Sequence, residues 1–347
     1  MFKRANSMRH RAATVLLALA TSLGAQSSMG ADLVVAAWGG IWEQSFRQCI
    51  VAAFEKKTGK TVDVVLGTPS QWLNQVAASP AKPPIDVIFV QPDGALDAIK
   101  RGLVVKLEPA RVPHLSEIPA RFIDPVDGYG AVMNYGALGA VYNIKTVATP
   151  PKTWKDFVEG VVAGKYKAMM PSINYPAGGV YALWTLATQY GGSTANVSPG
   201  MAQIKRMVAS GNMKFWTDAN QVLNGLKSGE IDIAMYWDGR AWAFIDDNPG
   251  FKYFTPEPGA VAAPTIAQKV KNSPDLAWEF IDVAMTAEPQ ACFANKIRYG
   301  VSNKNAVYDP KIKHQITDLS LLLAPPYHEF PKYQSQWVEQ WNKEVGR

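Results

Sequence analysis

Two short runs, Pro84-Ile-Asp-Val-Ile-Phe-Val90 and Glu230-Ile-Asp-Ile-Ala-Met-Tyr236, constrain the fold of this chain more than any other feature. Each leads into a polar or aromatic turn that opens a helix: Gln91-Pro-Asp-Gly94 after the first, Trp237-Asp-Gly-Arg240 after the second. Apolar runs of this length, bounded by turn signals, read as strands covered on both faces, as in parallel sheets flanked by helices. The surrounding sequence follows the same grammar. Strands at Leu33 to Ala37 and Val62 to Leu66 alternate with a helix from Ile41 to Lys57. On that helix Trp42, Phe46, Cys49, Ile50, Ala53 and Phe54 recur at three-to-four spacing, and Gly59 ends it. A short helix starts at Ser70, and another runs from Pro92 to Gly102. The pattern restarts past residue 150. Thr153 caps a helix beginning at Trp154, Tyr166 to Met170 is a strand, and helices follow over 180–190 and 201–210. The expected class is α/β, with two lobes on one plan, each a mixed, mostly parallel sheet flanked by helices.

The segment Tyr129 to Tyr142 is rich in glycine and β-formers and has no helical period, which predicts an extended crossing between lobes. Pro258 to Pro264 is a second crossing. If the chain crosses twice, helices over 274–286 and 289–295 pack on the first lobe, and Trp337 and Trp341 give a last helix its core stripe. The expected organisation is a leader over 1–30, one lobe from 31–136 plus 263–347, and another from 137–262.

The leader reading rests on Lys3, Arg4, Arg9 and Arg11, the absence of an acid before Asp32, and the short apolar stretch Ala12 to Ala25. Ser28 and Gly30 suit signal peptidase, and the first cysteine, Cys49, comes too late for a lipid anchor. The product is expected to be periplasmic, soluble and not inserted in the membrane. Those four basic residues supply four of the six formal positive charges, so the sequence pI of 9.1 is mostly a property of the leader. Nucleic acid is not an expected partner. With 48% hydrophobic and 18% charged residues, disorder is excluded. Cys49 and Cys292 leave open one bridge or two separately buried thiols, and the second is the simpler expectation.

Catalytic chemistry finds few candidates. His114, His314 and His328 stand far apart without Cys or Glu at metal spacing, and no G-x-S-x-G, P-loop or G-x-G-x-x-G occurs. No catalytic residue, metal site or cofactor is expected, and a secreted enzyme on the same scaffold is the distant alternative. A binding site fits better. Ligands of open α/β sheets sit beyond the carboxyl ends of strands, where helices begin. The residues there are Trp38, Gly39 and Gly40; Gln91 and Asp93; Tyr175, Gly178 and Gly179; and Trp237, Asp238 and Arg240. Tyr135, on the first crossing, joins them.

Five segments in order, Val34 to Gly40, Phe54 to Val62, Ile85 to Phe89, Tyr135 to Asn143 and Pro151 to Phe157, together resemble periplasmic solute-binding proteins of ABC importers. The match is to the spermidine/putrescine group of the type II fold. The resemblance implies a monomer whose lobes close on one small-molecule solute and deliver it to a permease and its ATPase. It also implies tryptophans at Trp38 and Trp237. The carboxylates that polyamine binders need are mostly missing: no acid precedes the helix at Tyr175 to Gly179, Arg240 stands where another belongs, and Val261 to Pro264 replaces a Trp-x-Asp. An arginine at a helix start suits a carboxylate in a bidentate fork. The expected solute therefore carries a carboxylate or is zwitterionic, held by Arg240 between Trp38 and Trp237. A true polyamine binder is the alternative. Arg240 could instead point outward and pair with Asp246 or Asp247.

Overall fold

Val87–Val90 is buried at every position, as a strand with helices on both faces must be. The computed structural model describes residues 30–175 and 177–346, so the expected leader lies outside the described residues except for Gly30. The first elements are β1 (Leu33–Ala37), α1 (Ile41–Phe46), a π-helical turn (Arg47–Val51), α2 (Ala52–Thr58), β2 (Val62–Leu66), α3 (Pro69–Ala78), β3 (Val87–Val90) and α4 (Pro92–Lys100). β1 pairs in parallel with β2 on one side and β3 on the other. Gly59 ends α2 in the left-handed region, where a side chain would be strained.

β4 (Ala131–Asn143) follows, then α5 (Trp154–Val162), β5 (Ala168–Pro171), α6 (Gly178–Gln189), α7 (Ser198–Ala209), β6 (Met213–Trp216), α8 (Ala219–Ser228), β7 (Ile233–Trp237), α9 (Asp238–Asp247) and β8 (Phe251–Phe254). β5 pairs in parallel with β6 and β7, repeating the plan of the first three strands. The chain ends with β9 (Ala260–Lys269), α10 (Leu276–Ala284), α11 (Ala287–Ile297), β10 (Gly300–Val301), β11 (Leu322–Leu323) and α12 (Phe330–Glu344).

All strands join one sheet of order β2-β1-β3-β9-β4-β7-β5-β6, with three short strands off that path. The two long strands make the junction. β4 pairs antiparallel with β9 from Ala131 to Leu138, then continues along β7 to Tyr142. β9 leaves β4 to pair with β3 over Ile266–Lys269. Each long strand thus belongs to both halves of the sheet, and each half is three parallel strands plus one antiparallel neighbour. Ala31–Arg347 is one compact unit.

Two expectations are corrected. Cys49 and Cys292 are not separate thiols: they form a disulfide with Cα atoms 5.6 Å apart. It joins the π-helical turn to α11 because the chain returns to the first sheet half after β9. Trp42, Phe46 and Phe293 pack in one aromatic cluster beside it, with ring centroids 4.9 and 5.3 Å from Trp42. Nothing in the sequence separation of 243 residues announces this approach. The second correction concerns α12, grouped above with the first lobe. Trp337 and Trp341 are core residues, but Trp341 stacks edge-on to Phe215 of β6 at 4.9 Å. Gln340 reaches Ser198 and Lys205 pairs with Glu344, so α12 lies on β6 and α7 of the 137–262 segment while also packing against α4 of the first half. An apolar stripe reports that a helix is buried, not against what.

Reducing the Cys49–Cys292 bridge is expected to lower the unfolding free energy by about 2–5 kcal/mol, since it closes a long loop in the unfolded chain. Urea denaturation with and without dithiothreitol measures this, with Cys49→Ala/Cys292→Ala as the reductant-insensitive control. Equal midpoints for the wild type in both conditions would show that the bridge contributes nothing.

Candidate functional site

A cavity of about 440 Å³ opens where the carboxyl ends of both sets of parallel strands meet the two long strands. From the first half it is lined by Trp38, Gly39, Gly40 and Trp42, by Gly67 and Thr68 before α3, and by Gln91 before α4. The second half supplies Tyr175, Thr217 to Asn220, Trp237 and Arg240. β4 contributes Asn134 and Gly136, β9 contributes Ala263 and Thr265, and Tyr299 closes the floor. Trp38 and Trp237 therefore face one hollow from different strands.

Local chemistry explains several positions. Thr68 caps α3 in a reciprocal box with Gln71, and Asp218 caps α8 by accepting from Asn220 N at 2.7 Å. Gly40 has φ 71°, and a side chain there would stand 3.3 Å from Arg240 Nη1. Tyr175 lies on Trp216 with ring centroids 4.4 Å apart. Gly178 lets it approach, because a Cβ at that residue would be 2.8 Å from the Tyr175 ring and 3.2 Å from Trp237. Gly136 is bare for a similar reason: its Cβ would meet Tyr299 at 2.7 Å and Asp238 Oδ1 at 2.9 Å.

Seven of the residues singled out in the sequence line the cavity: Trp38, Gly39, Gly40, Gln91, Tyr175, Trp237 and Arg240. Five do not. Gly178 and Gly179 are buried in the first turn of α6, where Gly179 packs against the Ser172 carbonyl. Tyr135 faces away, since Asn134 and Gly136 on either side of it point into the cavity and strand side chains alternate. Its ring stacks on Phe122 at 5.6 Å. Asp93 and Asp238 occupy like positions at the starts of α4 and α9, and both turn inward. Asp238 accepts from Gly239 N at 2.8 Å and Thr317 Oγ1 at 2.7 Å, closing its own helix start instead of meeting solute. Burial pushes its carboxyl up to about 6, against the opposing pull of the Thr317 bond, and burial raises Asp93 too.

Arg240 does not point outward to Asp246. That carboxylate is held by Arg298 at 2.6 Å and by Gln315 at 2.7 Å. Arg240 Nη2 donates to the Gly39 carbonyl at 3.2 Å, and among the described residues the guanidinium joins no ion pair. Trp42 Nε1 and Asn134 Oδ1 are buried in the cavity wall without a hydrogen-bond partner among the described residues. The cavity therefore offers a cation, a free donor and a free acceptor between aromatic faces. Sequence reasoning missed Asn134, Thr265 and the Thr217 to Asn220 turn. The D-x-x-Q capping pattern from Asp218 to Gln221 was the available signal for the last of these.

A family model described as bacterial extracellular solute-binding protein matches residues 50–317. The chain belongs to that family. A solved solute-binding protein of the family type from Bordetella parapertussis, provisionally assigned, is 27% identical. It superposes with a TM-score of 0.77 over 90% of this chain and 98% of that one. An ABC transporter substrate-binding protein from Bradyrhizobium japonicum, 19% identical, shares the fold with a TM-score of 0.77 over 91% of this chain and 100% of that one. The architecture is the two-lobed type these proteins share. A curated relative from Salmonella typhimurium, provisionally named a 2-aminoethylphosphonate-binding periplasmic protein, is 24% identical over 67% of this chain. The chain spans 66% of that relative's length, just under two thirds. Among the described residues no helix is long and apolar enough to cross a membrane.

The raised Asp238 carboxyl ties stability to pH. A buried acid titrating near 6 in the folded state and near 3.8 when unfolded stabilises fully below pH 4, and this contribution fades as pH rises to 6. The loss amounts to about 3 kcal/mol. Asp238→Asn should therefore gain stability relative to the wild type between pH 4 and pH 7. Parallel urea-unfolding profiles for the two proteins across that range would refute the assignment.

Proposed function

We propose that this chain is the solute-capturing component of an ABC importer, working in the periplasm and binding a small anionic or zwitterionic solute. The observation that carries the reading is Arg240, a guanidinium in the cavity wall with no carboxylate partner among the described residues. An unpaired cation in a partly desolvated cleft is stabilised by an acid that accepts from it in a fork. Trp38, Trp237 and Tyr175 supply faces for the rest of the solute. Asp218, on the rim, is the one carboxylate of the lining and suits an ammonium group at the far end. The Salmonella relative's name points to a ligand of this kind, since 2-aminoethylphosphonate joins an ammonium to a phosphonate.

The polyamine reading is not favoured, because a dication meets one rim carboxylate and one guanidinium here. A catalytic role is not part of the proposal. Export by the leader over 1–30, absence of a lipid anchor, a monomeric state and delivery to a permease with its ATPase complete the reading. The moving bodies are the sheet halves on either side of the β4–β9 pair, one built from 31–136 and the chain returning after 263, the other from 137–262. Solute stabilises the closed arrangement by touching both.

Titration calorimetry tests the reading with 2-aminoethylphosphonate, its carboxylate counterpart β-alanine, and putrescine. Binding of an acid that weakens at least about 30-fold in Arg240→Ala is expected, the cost of removing one partner of a buried charged pair. Putrescine binding that Arg240→Ala leaves unchanged would overturn the ligand class.

A further inference from the structure

A second cavity of about 410 Å³ adjoins the first. Arg240 and Asn220 line both, so the two hollows share a wall made of one guanidinium and one amide. The second is otherwise framed by Ile41 at the start of α1, Leu223 and Lys227 of α8, Tyr236 of β7 and Phe244 of α9. Two features mark it as more than a packing gap. The Tyr236 side chain is fully buried, yet its hydroxyl has no hydrogen-bond partner among the described residues. Leaving such a group dry and unpaired is costly, so the place suits a polar occupant. Lys227 Nζ stands 5.3 Å above the Phe244 ring and joins no ion pair among the described residues, although Asp247 is also on the rim. Ile41, Leu223 and Phe244 supply the apolar part of the wall, and Asp247 and Asn248 add further polar groups.

We infer that the solute is elongated, and that its tail lies in the second cavity. Its acidic head is held by Arg240 in the first, and its aliphatic chain passes Asn220 to rest between Leu223 and Phe244. A polar terminus meets the Tyr236 hydroxyl and Lys227. Arg240 then selects for length as well as charge, because it braces the head while forming the lip over which the tail passes. This inference rests on the anionic-solute reading above and specifies its substrate class.

Calorimetry on the full mature chain with 2-aminoethylphosphonate and its N-propyl and N-hexyl derivatives tests it, with Leu223→Trp as the variant that fills the second cavity. The wild type should bind more tightly with each added methylene, by about four-fold where the methylene is fully buried. Leu223→Trp should leave the parent compound unchanged and weaken the N-hexyl derivative at least ten-fold. Equal wild-type affinity across the series overturns the inference and leaves the anionic-solute reading standing; that comparison needs no variant to fold. A length gain that survives Leu223→Trp also overturns it, since the tail would then lie elsewhere. Failure of all three compounds to bind overturns both.

Discussion

The antiparallel pairing of β4 with β9 is the constraint on which the rest depends. It is the only place where the two parallel strand sets of the described chain are joined within the sheet, and it runs from Ala131 to Leu138 against Val261 to Ala267. Because both strands continue into opposite halves, the carboxyl ends of β1 and β3 are brought toward those of β5 and β7. The helix starts that follow those strands then border one space. Residues far apart in sequence, Trp38, Gln91, Trp237 and Tyr299, meet there for no reason other than this crossing.

The cavity's charge follows from how the helix starts are closed. α4 and α9 each carry an aspartate in the first turn, and both carboxyls are turned into the protein. Asp238 uses its oxygens on Gly239 and Thr317, which turns its carboxyl away from the solute side of α9. Arg240, two residues on, faces the cavity instead. With Asp246 taken by Arg298 and Gln315, the guanidinium is left donating to the Gly39 carbonyl. A site that turns two acids inward, keeps one carboxylate on its rim and leaves one arginine unpaired in its wall suits an anionic or zwitterionic solute.

Much of the fold was legible in the sequence. β1, β2 and α4 and the cap of α5 by Thr153 follow from apolar period, glycine stops and capping chemistry, which are local properties. The aromatic and glycine residues at strand ends were found because parallel sheets present their carboxyl ends to ligands. What escaped was long-range or depended on which way a side chain turns. Asp93 and Asp238 stand where ligand groups are expected, and only the structure shows Asp238 bonded to Gly239 and Thr317 and Asp93 turned inward with its Oδ1 unpaired among the described residues. Tyr135 was one residue off the facing register on β4, where a shift of one reverses the side. The Cys49–Cys292 bridge and the seat of α12 depend on which surfaces meet after the chain has crossed.

The disulfide also dictates an order of assembly. Cys49 lies near the beginning of the described chain and Cys292 near its end, and the whole 137–262 segment is enclosed between them. A polypeptide emerging amino end first can complete that enclosed segment's sheet before Cys292 exists in the compartment. The half that begins the chain must wait, because β9 and α11, which cover β3 and α1, come after the enclosed segment. Oxidation of this thiol pair is thus a signature that the late-arriving cover has docked.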